Sequence, residues 1–205
     1  GSGMACAPPR FAVSQRQGLK RLVNVEPNED REGERIMTHP LVEQLRFARS
    51  EFFRSLDGVT NEEGIQRFGS INSISWIVGH LADQEQRYWF ERRGVPILVE
   101  DLNDRVGFGK PATTPPLDEM WTAWRTIVTA SDPFLDALTV DDLEGYLEVT
   151  GRPFHDSVGS MLLRIIDHYW FHNGEAQAIR QLLGHTDLPQ FVGNIGQQAP
   201  YRREE

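Results

Sequence analysis

The stretch "SMLLRIIDHYWFHNGEAQAIRQLLGH", residues 160–185, decides the fold. Its apolar residues recur at Met161, Ile165, Ala176, Ile179 and Leu183, the three-and-four spacing of a helix with one buried face. His168 and His172 interrupt that face one turn apart. An imidazole in an apolar stripe costs free energy unless it finds a partner. Residues four apart on a helix stand one above the other, so these two rings can aim at one point, within reach of metal bonds of about 2.0–2.1 Å. A core histidine satisfied by a hydrogen bond is the simpler reading, and the run "HYWF" can equally serve as packing.

The rest of the chain supplies three more helices. "THPLVEQLRFARSEFFRSLDG" begins with Thr38 as N-cap and Pro40 in the first turn, stops at Gly58, and carries the stripe Leu41, Leu45, Ala48, Phe52 and Leu56. "NSISWIVGHLADQEQRYWFERRG" starts from Asn72 or Ser73, ends at Gly94, and buries Ile74, Ile77, Leu81 and Tyr88, with Arg92 and Arg93 at the negative end of its dipole. The third helix runs from about Leu117 and is expected to bend or pause at Pro133. Between the second and third helices, residues 94–116 with "GFGKPATTPP" read as a long crossing loop. "YLEVTGRPFHD" reads as a short hairpin around Thr150-Gly151, and Ser157 and Gly184 bound the fourth helix. Four long helices with little strand make an all-α protein, an up-and-down four-helix bundle, whose ligand sites are built from side chains on facing helices.

A third ligand must then come from another helix. His80 lies on the second helix beside Ile77 and Leu81, next to Gly79, where a missing side chain permits close helix approach. Three neutral imidazoles with an open position describe a catalytic rather than a closed structural site. Asp83 follows His80 by three and Glu175 follows His172 by three, so either can hydrogen-bond a ligand imidazole or act as a general base; a solvated helix charge is the plainer alternative. Gln84, four after His80, is a candidate pocket residue. Trp76 and Trp170 are candidates for an aromatic wall, with the 94–116 loop over its mouth. His39, His155 and His185 stand outside the pattern. The letters between His168 and His172 are Tyr, Trp and Phe, so the glutamate of a helical metalloprotease motif is missing. "GFGKPA" has two glycines at dinucleotide-loop spacing but lacks the third and follows no strand, which disfavours phosphate binding.

Composition bounds the classes. A chain of 205 residues with 39% hydrophobic residues is read as one soluble domain. Its net charge of −9 argues against nucleic acid or an anionic membrane surface as partner. Its apolar runs fall well short of the roughly 20 residues of a membrane span. A single cysteine, Cys6, cannot form an internal disulfide, which suits a reducing, cytoplasmic setting. Residues 1–3 read as a cloning remnant, and the polar, aperiodic stretch to residue 36 as a disordered N-terminal segment, so the domain is expected over residues 37–205, with Met37 a possible second start. Five tryptophans and eleven phenylalanines exceed what one small core needs, so a homodimer is expected.

"NSISWIVGHLADQEQRYW", "DHYWFHNGEAQAIRQLLGH" and "LPQFVGNIGQQAPYR" together resemble the DinB-like (DinB/YfiT-like) superfamily of metalloenzymes over roughly residues 38–203. The resemblance implies a four-helix bundle and a three-histidine site for a divalent metal, often zinc or nickel, whose ligands fall on His80, His168 and His172. Iron and copper suit the same donors. It further implies a transferase that joins a low-molecular-weight thiol, such as mycothiol or bacillithiol, to an electrophilic small molecule. A metal-dependent hydrolase and a noncatalytic, stress-associated metal-binding protein are the alternatives.

Overall fold

The computed structural model describes residues 38–190 and 192–202. The expectations about residues 1–36, Cys6 and a start at Met37 lie outside them. Among the described residues four long helices dominate: α1 (Pro40–Ser55), α3 (Ile74–Trp89), α5 (Leu117–Asp136) and α7 (Val158–Leu182). α3 packs on α5 and α7, and α1 packs on α7. The chain is an all-α helical bundle whose core is filled by Leu45, Phe52, Ile77, Leu81, Ile127, Leu135, Ile165 and Tyr169, all buried.

The caps explain where the helices begin, and one corrects the sequence reading. α1 is capped by His39, whose Nδ1 accepts the Leu41 N–H, while Thr38 donates its hydroxyl to Asp136. Ser73 caps α3 through the Trp76 N–H and Ser157 caps α7 through the Ser160 N–H. α5 does not stop at Pro133; it runs on to Asp136 because Phe134 and Leu135 are buried, and that packing outweighs the hydrogen bond proline cannot make. Beyond Trp89 a short 3₁₀ turn, Glu91–Arg93, leads to Gly94 in the left-handed region at φ 70°, which favours glycine.

The connections hold structure of their own. α2 (Asn61–Gly64) and α6 (Val140–Glu144) each begin with a reciprocal capping box, Thr60 with Glu63 and Thr139 with Asp142. Residues 94–116 are not irregular throughout: α4 (Leu102–Val106) folds there because Leu102 and Val106, one turn apart, are both fully buried against α3. The expected hairpin is present as β1 (Glu148–Val149) and β2 (Arg152–Pro153), antiparallel, with Thr150 and Gly151 both at positive φ as a two-residue primed turn requires. After α7 the chain returns over α1, where Gln44 donates to the Ala199 carbonyl beside α8 (Ile195–Gln198).

Candidate metal centre

His80 on α3 and His168 and His172 on α7 come together. Their ring centroids are 5.0, 5.3 and 4.5 Å apart, and one ring nitrogen from each lies within 4.8 Å of the others. His80 and His172 are buried and His168 is partly so. α3 and α7 run antiparallel across the site, since Gln84 of α3 meets His168 while Trp76, two turns earlier on α3, lies against His172, one turn later on α7.

Each imidazole has an acceptor on its Nδ1. His80 donates to the Val106 carbonyl at 2.9 Å, His172 to the Glu175 carboxylate at 2.8 Å, and His168 to the Gln84 side-chain oxygen. An acceptor on Nδ1 fixes the proton there and leaves the Nε2 lone pair for a cation. The three acceptors differ in kind: a backbone carbonyl, a carboxylate and a neutral amide. Burial pushes His80 down to about 4, with the Val106 carbonyl opposing it. Burial, then the neighbouring imidazoles His172 and His80, push His168 down to about 3. Both are therefore neutral at pH 7, the form a metal needs. This donor set fits a divalent ion, and the three histidines could hold one.

Neighbouring residues divide between the site and the frame. Trp76 stacks on His80 with centroids 4.4 Å apart, as a wall of the site should. Trp170 does not join it, since its ring meets Phe47 of α1 at 5.8 Å; its position on α7 turns it away from the histidine stripe. Asp83 is 1% exposed and accepts from Asn103 of α4 rather than from an imidazole. Its other oxygen is buried without a hydrogen-bond partner, and burial raises its pKa, with Asn103 opposing. The remaining histidines are structural or peripheral: His39 caps α1, His185 accepts from Arg180 and donates to Glu63, and His155 sits beside Asp156. A concavity of about 430 Å³ between the start of α1 and the C-terminal segment is lined by none of the three imidazoles.

Gln84 was legible as a partner of this stripe from its spacing to His80, whereas the Val106 carbonyl had no sequence signal at all. Gly79 shows how the loop reaches the ligand. A Cβ built there would clash with Met120 Sδ of α5 and crowd Val106 of α4 at 3.1 Å, so glycine eases the close packing of both helices on α3.

A sequence profile describing mycothiol-S-transferase matches residues 40–184. The chain belongs to the mycothiol-S-transferase family. That family is a member of the DinB-like superfamily, in keeping with the bundle. A conserved protein of Enterococcus faecalis has a similar fold, with a TM-score of 0.56 at 17% identity, over 71% of this chain and 96% of that one. No curated protein matches the chain. Among the described residues no helix is long and apolar enough to cross a membrane. Membership of the mycothiol-S-transferase family points to transferase chemistry with a thiol, and the imidazole cluster is compatible with it.

Proposed function

We propose that residues 37–205 form a metal-dependent S-transferase joining a low-molecular-weight thiol, mycothiol in keeping with the family, to an electrophilic small molecule. The observation that carries this reading is the convergence of three imidazoles, each with an acceptor on its Nδ1, so that His80, His168 and His172 would hold a divalent cation through Nε2. Zinc or nickel suits these donors, as do iron and copper. A cation bound there supplies Lewis acidity, which favours the thiolate form of a thiol at neutral pH.

The chain's own residues do the rest. Glu175 orients His172 through its Nδ1. Asp83, on the same side of α3 as His80, has the buried, unpartnered oxygen suited to accept the thiol proton. Sulfur then uses its electron pair to form the C–S bond while the bond from that carbon to its leaving group breaks, the leaving group departing with its pair. Thiol and electrophile thus become thioether, released leaving group and one proton. We further propose that the chain acts as a homodimer, a reading that light scattering at the monomer mass of about 23.4 kDa over a wide concentration range would overturn.

The test begins with metal analysis of protein purified without a nickel column, followed by transfer of mycothiol to an alkyl halide. His168→Ala is expected to lose stoichiometric metal and all transfer while circular dichroism shows a helical bundle. Full metal and full activity in that variant would remove His168 from the site. A parent that binds metal but turns over neither thiol nor hydrolytic substrates would favour the noncatalytic alternative.

A further inference from the structure

Of the three acceptors that hold the imidazoles, two are side chains of the site's own helices, Gln84 on α3 and Glu175 on α7. The third, on His80, is the Val106 carbonyl, brought in by the segment that crosses from α3 to α5. A backbone carbonyl goes where its segment is fixed. That segment runs back along α3 in a definite register: Gln86 meets Val99, Asp83 meets Asn103 and His80 meets Val106, the α3 partners standing three residues apart and their order reversed along the crossing segment. Leu102 and Val106 are fully buried between these contacts, with Val106 against Gly79.

Gln86 is the most fully matched of these polar anchors. It is 2% exposed, its Oε1 accepts the N–H groups of Leu98 and Val99 at 2.9 Å each, and its Nε2 donates to the Val99 carbonyl at 2.9 Å. One side-chain amide thus engages both polar groups of Val99, as the backbone of a neighbouring strand would. A buried amide costs free energy unless it is matched, whereas a leucine of similar size would fill the same space with no group to match. The hydrogen bonds of Gln86 among the described residues all go to the crossing segment, and a satisfied buried contact of this kind fixes the backbone it holds.

We infer that Gln86 is a positioning residue: by clamping Val99 it sets the register of α4 on α3, and so keeps the Val106 carbonyl on His80 Nδ1 and the His80 Nε2 free for a cation. Which imidazole nitrogen carries the proton is set by the partner of the other. With α4 out of register, His80 is open to the tautomer whose proton sits on Nε2, aimed at the other two rings. Asn103 is a second anchor, but its loss also alters Asp83, whereas Gln86 acts on His80 through the backbone of the arm alone. The inference rests on the metal reading only for its consequence, because the tautomer is a property of the metal-free chain.

The test uses the full, chelated chain with nitrogen-15-labelled histidine at neutral pH, where a two-bond proton–nitrogen correlation tells protonated ring nitrogens from bare ones. His80 is assigned by its loss in His80→Gln. The parent is expected to carry the His80 proton on Nδ1. In Gln86→Leu the freed backbone groups lie beside the exposed Val95, Ile97 and Leu98 and can turn to water, so the bundle should persist while the His80 proton moves toward Nε2. Zinc affinity, read by competition with a chromogenic chelator, should fall about 10–100-fold in the same variant. Tyr169→Phe removes a hydrogen bond to the buried Glu85 and leaves the arm alone, so it should lower stability with tautomer and zinc affinity as in the parent. Gln86→Glu keeps the accepting oxygen and loses the donor to Val99; it should move both readouts the same way by less, and it decides the question if the leucine variant does not fold. A proton on Nε2 in the parent, a parent-like tautomer in the folded Gln86 variants, or an equal shift in Tyr169→Phe overturns the inference, whatever the zinc affinity. A tautomer that follows Gln86 in a chain that binds no zinc upholds the arm and defeats the metal reading.

Discussion

Asp83 and Glu85 are two residues apart on α3, both buried carboxylates, and their surroundings are opposite. Glu85, wholly buried, accepts from Arg49 at 2.8 Å, from the Tyr169 hydroxyl at 2.7 Å and from the Trp89 indole at 2.9 Å. Arg49 in turn donates to Ser131 and Asp132, and Tyr169 accepts from the Trp124 indole. Burial would discharge Arg49, but Glu85 beside it holds its pKa above the ordinary value. Asp83 has one partner, Asn103, and an orphaned oxygen, and it follows by one turn His80, one of three imidazoles whose ring nitrogens lie within 4.8 Å of one another. A polar cluster whose donors and acceptors are matched within the protein can hold a bundle together. A cluster left with converging unmatched atoms has room in its chemistry for a ligand.

Breaking the closed side should have the largest effect. Glu85→Ala leaves the Arg49 guanidinium buried without its main counter-charge, a change expected to cost about 3–5 kcal/mol in urea unfolding. The folded fraction should still bind metal in proportion, because no imidazole touches Glu85. Unaltered stability would mean that the pair contributes nothing to the bundle, and that Glu85 and Asp83 do not differ in this way.

On the open side the effect should move from stability to affinity. Glu175→Ala removes the carboxylate that holds His172 and is expected to weaken metal binding about 10–100-fold. Its stability without metal should stay within about 0.5 kcal/mol of the parent, since Glu175 lies at the partly exposed edge of the site. Equilibrium dialysis and unfolding of the chelated protein separate the two. A large loss of apo stability with unchanged metal affinity would class Glu175 with Glu85.

The open side was the more legible in the sequence. His168 and His172 announce themselves by interrupting an apolar stripe at helical spacing, His80 follows as the imidazole beside Gly79 on another helix, and the superfamily resemblance assigns all three as ligands. The closed side was missed because its partners are 36 and 84 residues apart, with no period linking Arg49 or Tyr169 to Glu85. A hint did exist: Arg49 follows Leu45 by four and precedes Phe52 by three, a charge within the buried stripe of α1. The capping boxes of α2 and α6 were also there to read. α4 was hidden by the Gly and Pro density that follows it, although Leu102 and Val106 have the spacing of one buried helical turn. His39 displaced Thr38 as the cap of α1 because Thr38 is engaged by Asp136, 98 residues away, which no local rule reports.

The smallest effect should have the opposite sign. Asp83→Asn keeps the shape of the side chain, retains an oxygen for Asn103 and removes a charge that burial disfavours, so at pH 7 the variant should unfold at slightly higher denaturant than the parent. The pH dependence fixes the cause. Because the folded pKa of Asp83 is raised above its ordinary 3.8, the parent's deficit is absent below that value, where the carboxyl is neutral in both states, and appears as pH rises through the folded pKa. Parent and variant should therefore have equal stability under acid conditions and diverge toward neutrality, with the variant ahead. If Asp83 accepts the thiol proton, the same variant should also transfer more slowly while holding its metal, so that stability rises as activity falls. Greater stability with undiminished transfer would leave Asp83 a strained anchor for α4. Lower stability at pH 7 would mean that its buried charge is matched after all, and that the two carboxylates of α3 are alike.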